Sequence, residues 1–174
     1  MKTLNIVLIG MPGSGKSTIG SILAKLIGYR FLDTDLVIQN MEGKVLQDII
    51  DEDGLKAFST AEEKALCSVY CDSTVVATGG SAIFCDRGMR HLKQDGKVVY
   101  LKLDIREIEK RLSNLASRGV AGAKEKTIAQ IFEERRPLYE KYADYVVDCD
   151  GGSVAENALK IVDLAKNDII ESRS

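Results

Sequence analysis

Residues 10–17 read Gly-Met-Pro-Gly-Ser-Gly-Lys-Ser, which matches the pattern G-x-x-x-x-G-K-[ST]. The apolar residues 4–9 before this segment predict a buried strand. The apolar periodicity of residues 19–27 after it predicts an amphipathic helix that ends at Gly28. A phosphate-binding loop, or P-loop, requires this order of strand, loop and helix. The segment therefore predicts a nucleotide-binding α/β fold.

The P-loop residues have a chemistry suited to a nucleotide and its metal ion. Glycines let backbone N–H groups close around phosphate oxygens, and the helix that follows points its positive end at the same anion. Lys16 can bridge the β- and γ-phosphates, and the Ser17 hydroxyl can ligate Mg²⁺. The alternative is a glycine-rich turn without a ligand. The predicted ATP-binding residues in this loop are Gly10, Gly13, Ser14, Gly15, Lys16, Ser17 and Thr18.

Strand-like and helix-like segments alternate along the rest of the chain. Residues 36–71 are predicted to be helical, with breaks near Gly43 and Gly54. Such alternation is typical of a parallel sheet that is covered by helices on both faces. We therefore expect one domain over residues 1–174, with a three-layer α/β/α fold and about five parallel strands. Further strands are predicted at residues 30–32, 75–77, 97–103 and 145–147, a helix at residues 105–112, and capping boxes at residues 127–130 and 153–156.

Residues 114–126 differ from the rest of the chain, because they are rich in Ala, Gly, Ser and charged residues and have little apolar periodicity. They are either a plain surface loop or a mobile lid over a site. Arg111 and Arg118 flank this segment or lie in it. Each is either part of a solvated face or a cation that stabilises charge on a transferring phosphoryl group.

Composition excludes several classes of protein. The net charge is −2, so the basic excess that is typical of nucleic-acid binders is missing. Hydrophobic residues make up 45% of the chain and charged residues 29%, a normal balance for a globular domain. No apolar run approaches the roughly 20 residues of a membrane span, and the first one is too short for a signal peptide. We therefore expect a cytoplasmic protein with no nucleic-acid or membrane partner; no oligomeric state is predicted.

The cysteines do not follow a metal-site pattern. No pair has C-x-x-C spacing, and the single histidine, His91, has no cysteine partners at the spacing of a zinc site. Cys67 and Cys71 are four residues apart, which predicts that they share one helix face. We expect all four cysteines, including Cys85 and Cys149, to be reduced core residues.

A P-loop alone fits kinases, GTPases and larger ATPases. A GTPase needs an [NT]-K-x-D element that reads guanine, and the chain has none. The larger ATPase classes need more than 174 residues. A small-molecule kinase is therefore predicted.

Asp33-Thr34-Asp35 follows the second predicted strand, at the sheet edge where ligands of parallel sheets bind. One carboxylate there can hold the Mg²⁺ hydration shell, while the other orients or deprotonates a substrate hydroxyl. The alternative is that one of them caps the next helix.

Two more segments are candidates for the acceptor site. Residues 78–81, Thr-Gly-Gly-Ser, follow the third predicted strand, and glycines there allow close approach of a substrate; the alternative is a plain turn. Arg135 and Arg136 precede Pro137, which predicts the end of a helix. Arginine there either recognises a carboxylate or phosphate with its two-pronged guanidinium, or complements the helix dipole.

Taken together, these motifs resemble those of the shikimate kinase family. The resemblance covers nearly the whole chain: G-M-P-G-S-G-K-S-T, F-L-D-T-D, G-x-x-x-F at residues 54–58, T-G-G, R-x-P-L-Y from Arg135, and Tyr-Ala-Asp at residues 142–144. It implies ATP and Mg²⁺ as cofactors and a hydroxy acid such as shikimate as the small-molecule substrate.

The resemblance also implies roles for single residues. Asp33 supports Mg²⁺ together with Ser17, and Asp35 binds the substrate hydroxyls beside Gly79 and Gly80. Arg135, rather than Arg136, binds the substrate carboxylate. Arg111 stacks on adenine and Arg118 reaches the phosphates. The implied catalytic residues are Lys16, Asp35 and Arg118, and the implied substrate-binding residues are Asp35, Gly79, Gly80 and Arg135.

The chain departs from the family's pattern at three places. Ser59 follows Phe58 where the family usually has a second arginine for the carboxylate, a contact worth about 1.5–3 kcal/mol. Lys56, one helical turn earlier, is a candidate replacement charge, and residues 59–62 also fit a capping box. Ser81 replaces a third glycine, and residues 118–121 read R-G-V-A where R-P-L-L is common.

The predicted function is phosphotransfer from ATP to a hydroxyl of shikimate, with residues 36–71 as the substrate-binding segment and residues 114–126 as the lid. One alternative is a sibling kinase for another hydroxy acid or sugar acid. Another is a regulatory module that binds ATP without phosphotransfer.

Overall fold

The computed structural model describes residues 4–113 and 126–171, with residues 169–171 described through their backbone only. The described residues contain a five-stranded sheet in the order β2-β3-β1-β4-β5, in which every pair of neighbours is parallel. This confirms the predicted α/β class and the number of strands. The strands are β1 Asn5–Ile9, β2 Arg30–Asp33, β3 Thr74–Ala77, β4 Gly96–Lys102 and β5 Tyr145–Asp148.

Helices cover both faces of the sheet. Every residue of β1 and β3 is buried, and because successive side chains of a strand point to opposite faces, both faces must be covered. The edge strands β2 and β5 are more exposed. The helices are α1 Lys16–Ile27, α2 Thr34–Glu42, α3 Leu46–Asp48, a π-helical segment Ile49–Asp53, α4 Gly54–Cys67, a 3₁₀ segment Ala82–Phe84, α5 Asp86–Gln94, α6 Ile105–Ser113, α7 Ile128–Tyr142 and α8 Val154–Glu171.

Strand register brings the candidate site residues to one edge of the sheet. Ala77 pairs with Leu8 of β1 on one side and with Asp33 of β2 on the other. The loops that follow these three strands therefore start at the same level, at the carboxyl edge where ligands of such sheets bind.

The helical region after β2 agrees with the prediction that helices there are broken near Gly43 and Gly54. Gly43 caps the C-terminus of α2, and Gly54 opens α4. The predicted capping box at residues 59–62 is wrong, since these residues lie inside α4. The Thr60 hydroxyl donates to the carbonyl of Lys56 one turn earlier, as threonine does within a helix.

Arg135 and Arg136 do not end a helix, which is a second correction. Helix α7 continues through Pro137 to Tyr142. Proline cannot donate to the carbonyl four residues earlier, but the burial of Tyr139 and Tyr142 on the same helix holds the last turn against the core.

The cysteines are free, as predicted, but only Cys85 and Cys149 are buried, whereas Cys67 and Cys71 are half-buried. The prediction that Cys67 and Cys71 share a helix face is wrong, because α4 ends at Cys67.

Both predicted capping boxes near the C-terminus are present. Thr127 and Gln130 exchange side-chain and backbone hydrogen bonds at the start of α7, and Ser153 and Glu156 do the same before α8. Helix α8 buries Ala158, Ile161 and Ala165, whereas its leucines, Leu159 and Leu164, are about half exposed.

The predicted lid falls almost entirely outside the described residues, and so does Arg118. Of that segment only Lys126 is described; it pairs with Glu134 of α7 at 2.5 Å. Among the residues that the structure describes, no helix has the length and apolar character needed to cross a membrane.

Candidate active site

The loop between β1 and α1 has the backbone conformation of a phosphate cradle. Gly13 and Gly15 have φ angles of 80° and 94°, in the left-handed region that other residues rarely adopt. Ser14 is fully buried between them, and its N–H donates to the carbonyl of Met11. Thr18 lies exposed in the first turn of α1. The sequence pattern and the geometry thus agree on an anion site at the start of α1.

Lys16 lies inside this loop. Its ammonium group donates to the carbonyl oxygens of Gly10 at 2.8 Å and Met11 at 2.9 Å, and its side chain is 8% exposed. Burial lowers the pKa of Lys16 to about 8; the charges of Asp35 and Asp33 oppose this shift, and that of Arg135 adds to it. The lysine therefore remains mostly cationic at neutral pH, and it interacts electrostatically with Asp33, Asp35 and Arg135.

Ser17 and Asp33 meet across the gap between α1 and β2. The Ser17 hydroxyl donates to Asp33 Oδ2 at 2.6 Å. The other carboxylate oxygen, Oδ1, accepts the N–H of Asp35 at 3.0 Å and so caps α2. Asp33 is thus the helix cap that the sequence offered as one alternative, and it also pairs with Ser17 in an arrangement of oxygens suited to Mg²⁺.

Asp35 follows in the first turn of α2, half-buried. Burial, together with the Asp33 carboxylate, raises the pKa of Asp35 to about 6, and the charge of Lys16 opposes the shift. A carboxylate with a raised pKa that is still ionised at neutral pH is suited to accept a proton from a hydroxyl.

The turn after β3 packs against three ionisable side chains. A Cβ atom built on Gly79 would lie 2.8 Å from Glu62 Oε1 and 2.9 Å from Asp35 Oδ1. A Cβ atom on Gly80 would lie 3.0 Å from Arg135 Nη1 and 2.6 Å from Pro12 of the P-loop. A Cβ atom therefore fits at neither position unless these neighbours move, and the turn brings α2, α4, α7 and the P-loop together.

Two hydrogen bonds hold this turn in place. The Thr78 hydroxyl donates to the carbonyl of Leu8 at 2.9 Å, which ties the turn to β1. The Tyr139 hydroxyl donates to the carbonyl of Gly80 at 2.6 Å, and its ring stacks on Tyr100 with centroids 5.1 Å apart.

The two neighbouring arginines of α7 have different surroundings. Arg135 is 4% exposed, and its guanidinium lies over the ring of Phe84 at 5.6 Å. Arg136 is exposed and pairs with Glu133 on its own helix at 3.1 Å. Only Arg135 lies with the site residues.

Arg111 lies beside the P-loop. It pairs with Glu107 at 2.9 Å and donates to the carbonyl of Gly13 at 3.2 Å. Its half-exposed side chain therefore lies beside the phosphate cradle, while Arg118 lies outside the described residues.

Sequence reasoning missed Glu62. This residue is 1% exposed, and Ser81 donates to its Oε2 at 2.7 Å. A signal was available, because the buried positions of α4 follow helical periodicity and a glutamate occupies one of them. The buried positions are Phe58, Ala61, Glu62, Ala65 and Leu66.

The structure does not support Lys56 as a replacement charge near Arg135. Lys56 lines a surface cavity of about 450 Å³ between α2 and α4, together with Glu42 and Lys64. The predicted site residues do not line this cavity. Ser59 is exposed on α4, and its carbonyl faces the Cys85 thiol at 4.0 Å.

Known proteins match this chain over most of its length. The profile of the family described as shikimate kinase matches residues 12–166. The chain belongs to the shikimate kinase family. Shikimate kinase 2 of Serratia proteamaculans is 35% identical over 173 residues, which cover 93% of this chain and 97% of that protein. The shikimate kinase of Thermodesulfovibrio yellowstonii is 35% identical over 161 residues, covering 91% and 92%.

Solved structures of this family have the same fold. The shikimate kinase of Acinetobacter baumannii, in complex with shikimate, has a TM-score of 0.85 and 32% identity, covering 95% of this chain and 94% of that one. The shikimate kinase of Aquifex aeolicus has a TM-score of 0.79 and 27% identity, covering 94% and 97%. Membership of the shikimate kinase family makes the chain an ATP-dependent kinase that phosphorylates a hydroxyl group.

Proposed function

We propose that this chain transfers the γ-phosphoryl group of ATP to the 3-hydroxyl of shikimate, giving shikimate 3-phosphate and ADP. The observation that carries the proposal is the arrangement around Gly79 and Gly80. Asp35 lies at one glycine and Arg135 at the other, both within 3.0 Å of the position that a Cβ would take. A hydroxy acid seated on this turn would have its hydroxyl at Asp35 and its carboxylate at Arg135.

The chemistry follows from the positions of these side chains. The acceptor oxygen forms a bond to the γ-phosphorus, the bond from that phosphorus to the β–γ bridging oxygen breaks, and ADP leaves with the electron pair. Asp35 takes the proton of the acceptor hydroxyl, for which its raised pKa is suited. Lys16, released from its bonds to the P-loop carbonyls, neutralises charge on the β- and γ-phosphates.

Mg²⁺ is the metal that fits the oxygen pair of Ser17 and Asp33. Mg²⁺ is usually held by one or two protein oxygens, with the phosphates and water completing its shell, and this pair supplies a hydroxyl and a carboxylate. When bound, the ion would neutralise charge that develops on the phosphates.

Two further assignments rest on the family resemblance. Arg111 is proposed to stack on adenine, which agrees with its place beside Gly13. Arg118 is proposed to contact the phosphates, as part of a lid at residues 114–126. A single domain and a cytoplasmic location remain predictions.

The test is a coupled assay of ADP release with MgATP and shikimate. Arg135→Lys should raise the KM for shikimate at least about tenfold, because lysine cannot form the two-pronged contact with a carboxylate. Arg136→Lys is the matched control, and we expect less than a twofold change.

The alternatives give different results in the same assay. Turnover with another hydroxy acid or sugar acid, but not with shikimate, would identify a sibling kinase. Tight ATP binding without turnover of any acceptor would identify a regulatory module.

A further inference from the structure

Glu62 is a buried acid beside the turn at Gly79 and Gly80. It is 1% exposed, and the other buried residues of α4 are all apolar. Ser81 donates to its Oε2 at 2.7 Å, while Oε1 has no hydrogen-bond partner within residues 4–113 and 126–171. Burial of a carboxylate oxygen without a hydrogen-bond partner costs free energy, so burial destabilises the ionised form of this side chain.

The turn at Gly79 and Gly80 brings Glu62 close to both proposed acceptor-binding side chains, Asp35 and Arg135. Glu62 Oε1 and Asp35 Oδ1 both touch the Cβ position of Gly79, at 2.8 and 2.9 Å, so they cannot be further apart than the sum of these distances. Arg135 Nη1 touches the Cβ position of the next residue, Gly80. A hydroxy-acid acceptor that binds on this turn would therefore lie close to Glu62.

In the part of the chain that the structure describes, four titratable groups face Glu62 from the elements packed against it. They are Asp35 on α2, Arg135 and Tyr139 on α7, and Cys85 after the 3₁₀ segment. Burial raises the pKa of Cys85 to about 12 and also raises the pKa of Tyr139 well above its usual value, so both are neutral near pH 7. The charges that Glu62 meets are therefore the carboxylate of Asp35 and the guanidinium of Arg135.

These surroundings place the titration of Glu62 near neutrality. Burial raises the pKa of Glu62 to about 7, and Asp35 adds to the shift. The hydrogen bond from Ser81 and the charge of Arg135 act in the opposite direction. Arg135 is thus the cation that favours the ionised form of Glu62.

We propose that Glu62 and the carboxylate of the acceptor compete for Arg135, so that Glu62 takes up a proton when an acidic acceptor binds. This inference rests on the proposed function, which assigns the acceptor carboxylate to Arg135. An arriving carboxylate shares the guanidinium and adds a second negative charge, and both effects disfavour ionised Glu62. Acidic acceptors then bind less tightly as pH rises, whereas uncharged ones do not. Glu62 thus determines how strongly the site discriminates between acidic and uncharged acceptors at a given pH.

The experiment measures the KM for shikimate from pH 6 to pH 8.5 at saturating MgATP. In the wild-type enzyme we expect it to rise by about tenfold, since each pH unit above the pKa of an inhibitory ionisation weakens binding by up to about tenfold. With the methyl ester of shikimate the wild-type KM should stay flat. Glu62→Gln should show, at every pH, the low KM for shikimate that the wild type shows at pH 6.

Two further variants sharpen the test. Ser81→Ala removes a hydrogen bond that favours ionised Glu62, so the rise in KM should begin at higher pH. Glu63→Gln is the matched control: Glu63 is the next residue of α4 and faces Arg87 at 3.8 Å, and its variant should behave as the wild type does. Calorimetry of shikimate binding at pH 7.5 in two buffers should show net proton uptake in the wild type and none in Glu62→Gln.

The outcomes separate the inference from the function on which it rests. Good turnover of shikimate with a KM that stays flat from pH 6 to pH 8.5 would overturn the inference and leave the proposed function intact. So would a Glu62→Gln variant whose KM is raised about tenfold at pH 6, since Glu62 would then support Arg135 rather than compete for it. Absence of turnover with shikimate at any pH would overturn the proposed function itself.

Discussion

The hydroxyl of Tyr139 donates a hydrogen bond of 2.6 Å to the carbonyl oxygen of Gly80. Tyr139 is fully buried on α7, one turn after Arg135. One helix therefore both supplies the guanidinium of the acceptor site and fixes the backbone turn against which that guanidinium packs. Displacement of the turn would alter the distance between Gly80 and Arg135.

Tyr139→Phe removes this bond and leaves the ring in place. We expect the free energy of unfolding to fall by about 1 kcal/mol and the KM for shikimate to rise several-fold. Urea unfolding and steady-state kinetics measure the two effects. Tyr142→Phe is the matched control, because it removes a bond of 2.7 Å to Asp86 away from the site. It should lower stability by a similar amount without changing the KM.

Substitution of Gly79 and of Gly80 by alanine should change different kinetic constants. Gly79→Ala brings a methyl group into contact with Asp35 and Glu62, so we expect kcat to fall at least about tenfold as the proposed base is displaced. Gly80→Ala pushes on Arg135 and Pro12, so the KM for both shikimate and ATP should rise. Identical kinetic profiles for the two variants would contradict this division.

The two roles of Asp33 can be separated by substitution. Asparagine still accepts the N–H of Asp35, so Asp33→Asn should keep stability within about 0.5 kcal/mol of the wild type, whereas Asp33→Ala should lose about 1 kcal/mol. Both variants should need more Mg²⁺ for half-maximal turnover, and EDTA should abolish turnover in all three proteins. An unchanged Mg²⁺ requirement in Asp33→Asn would remove this residue from the metal site.

An arginine at position 59 should strengthen binding of the acceptor. Ser59 is exposed and precedes Glu62 by three residues, which places both on one side of α4. We expect Ser59→Arg to lower the KM for shikimate by about tenfold through a second charge-assisted contact. Lys56→Ala, in the cavity between α2 and α4, should leave this KM unchanged. A raised KM in Lys56→Ala would restore Lys56 as a contributor to the site.

The raised pKa of Glu62 also predicts how stability depends on pH. The folded protein binds this proton more tightly than the unfolded chain, so the contribution is fully present below the usual pKa of 4.5 and is lost as pH rises through about 7. As pH rises from 5 to 8, the free energy of unfolding of Glu62→Gln should therefore increase relative to that of the wild type, by about 3 kcal/mol at most. Urea unfolding without ligands measures this difference. Glu63→Gln should show no such gain.

Much of the fold was determined by local sequence patterns. The P-loop, the capping box at Thr127 and, to within one residue, the second strand were predicted correctly, because periodicity, glycine conformation and side-chain caps act within a few residues. The resemblance singled out Arg135 from Arg136, and burial separates them in the same way. Helix α5 was not predicted, although Asp86 in its first turn, basic residues in its last turn and its amphipathic pattern were available as signals.

Errors arose where long-range packing outweighs a local signal. Pro137 suggested a helix end, but burial of Tyr139 and Tyr142 carries α7 past it. Residues 59–62 fit a capping box, yet packing of Phe58, Ala61 and Leu66 keeps them inside α4. Local motifs report short-range hydrogen bonding, and they carry no information on which side chains the rest of the chain will bury.

The sequence by itself determined a P-loop, a D-x-D pair and the kinase class, because each is defined by residues close together in the chain. Only the tertiary structure decided that Glu62 packs against the turn at Gly79 and Gly80 and that Ser81 holds it there. These residues are 19 positions apart and lie on different elements, which meet because Gly79 and Gly80 let four segments approach one turn. The charge balance of a buried site is a sum over such neighbours, so it follows from the folded arrangement and not from any one motif.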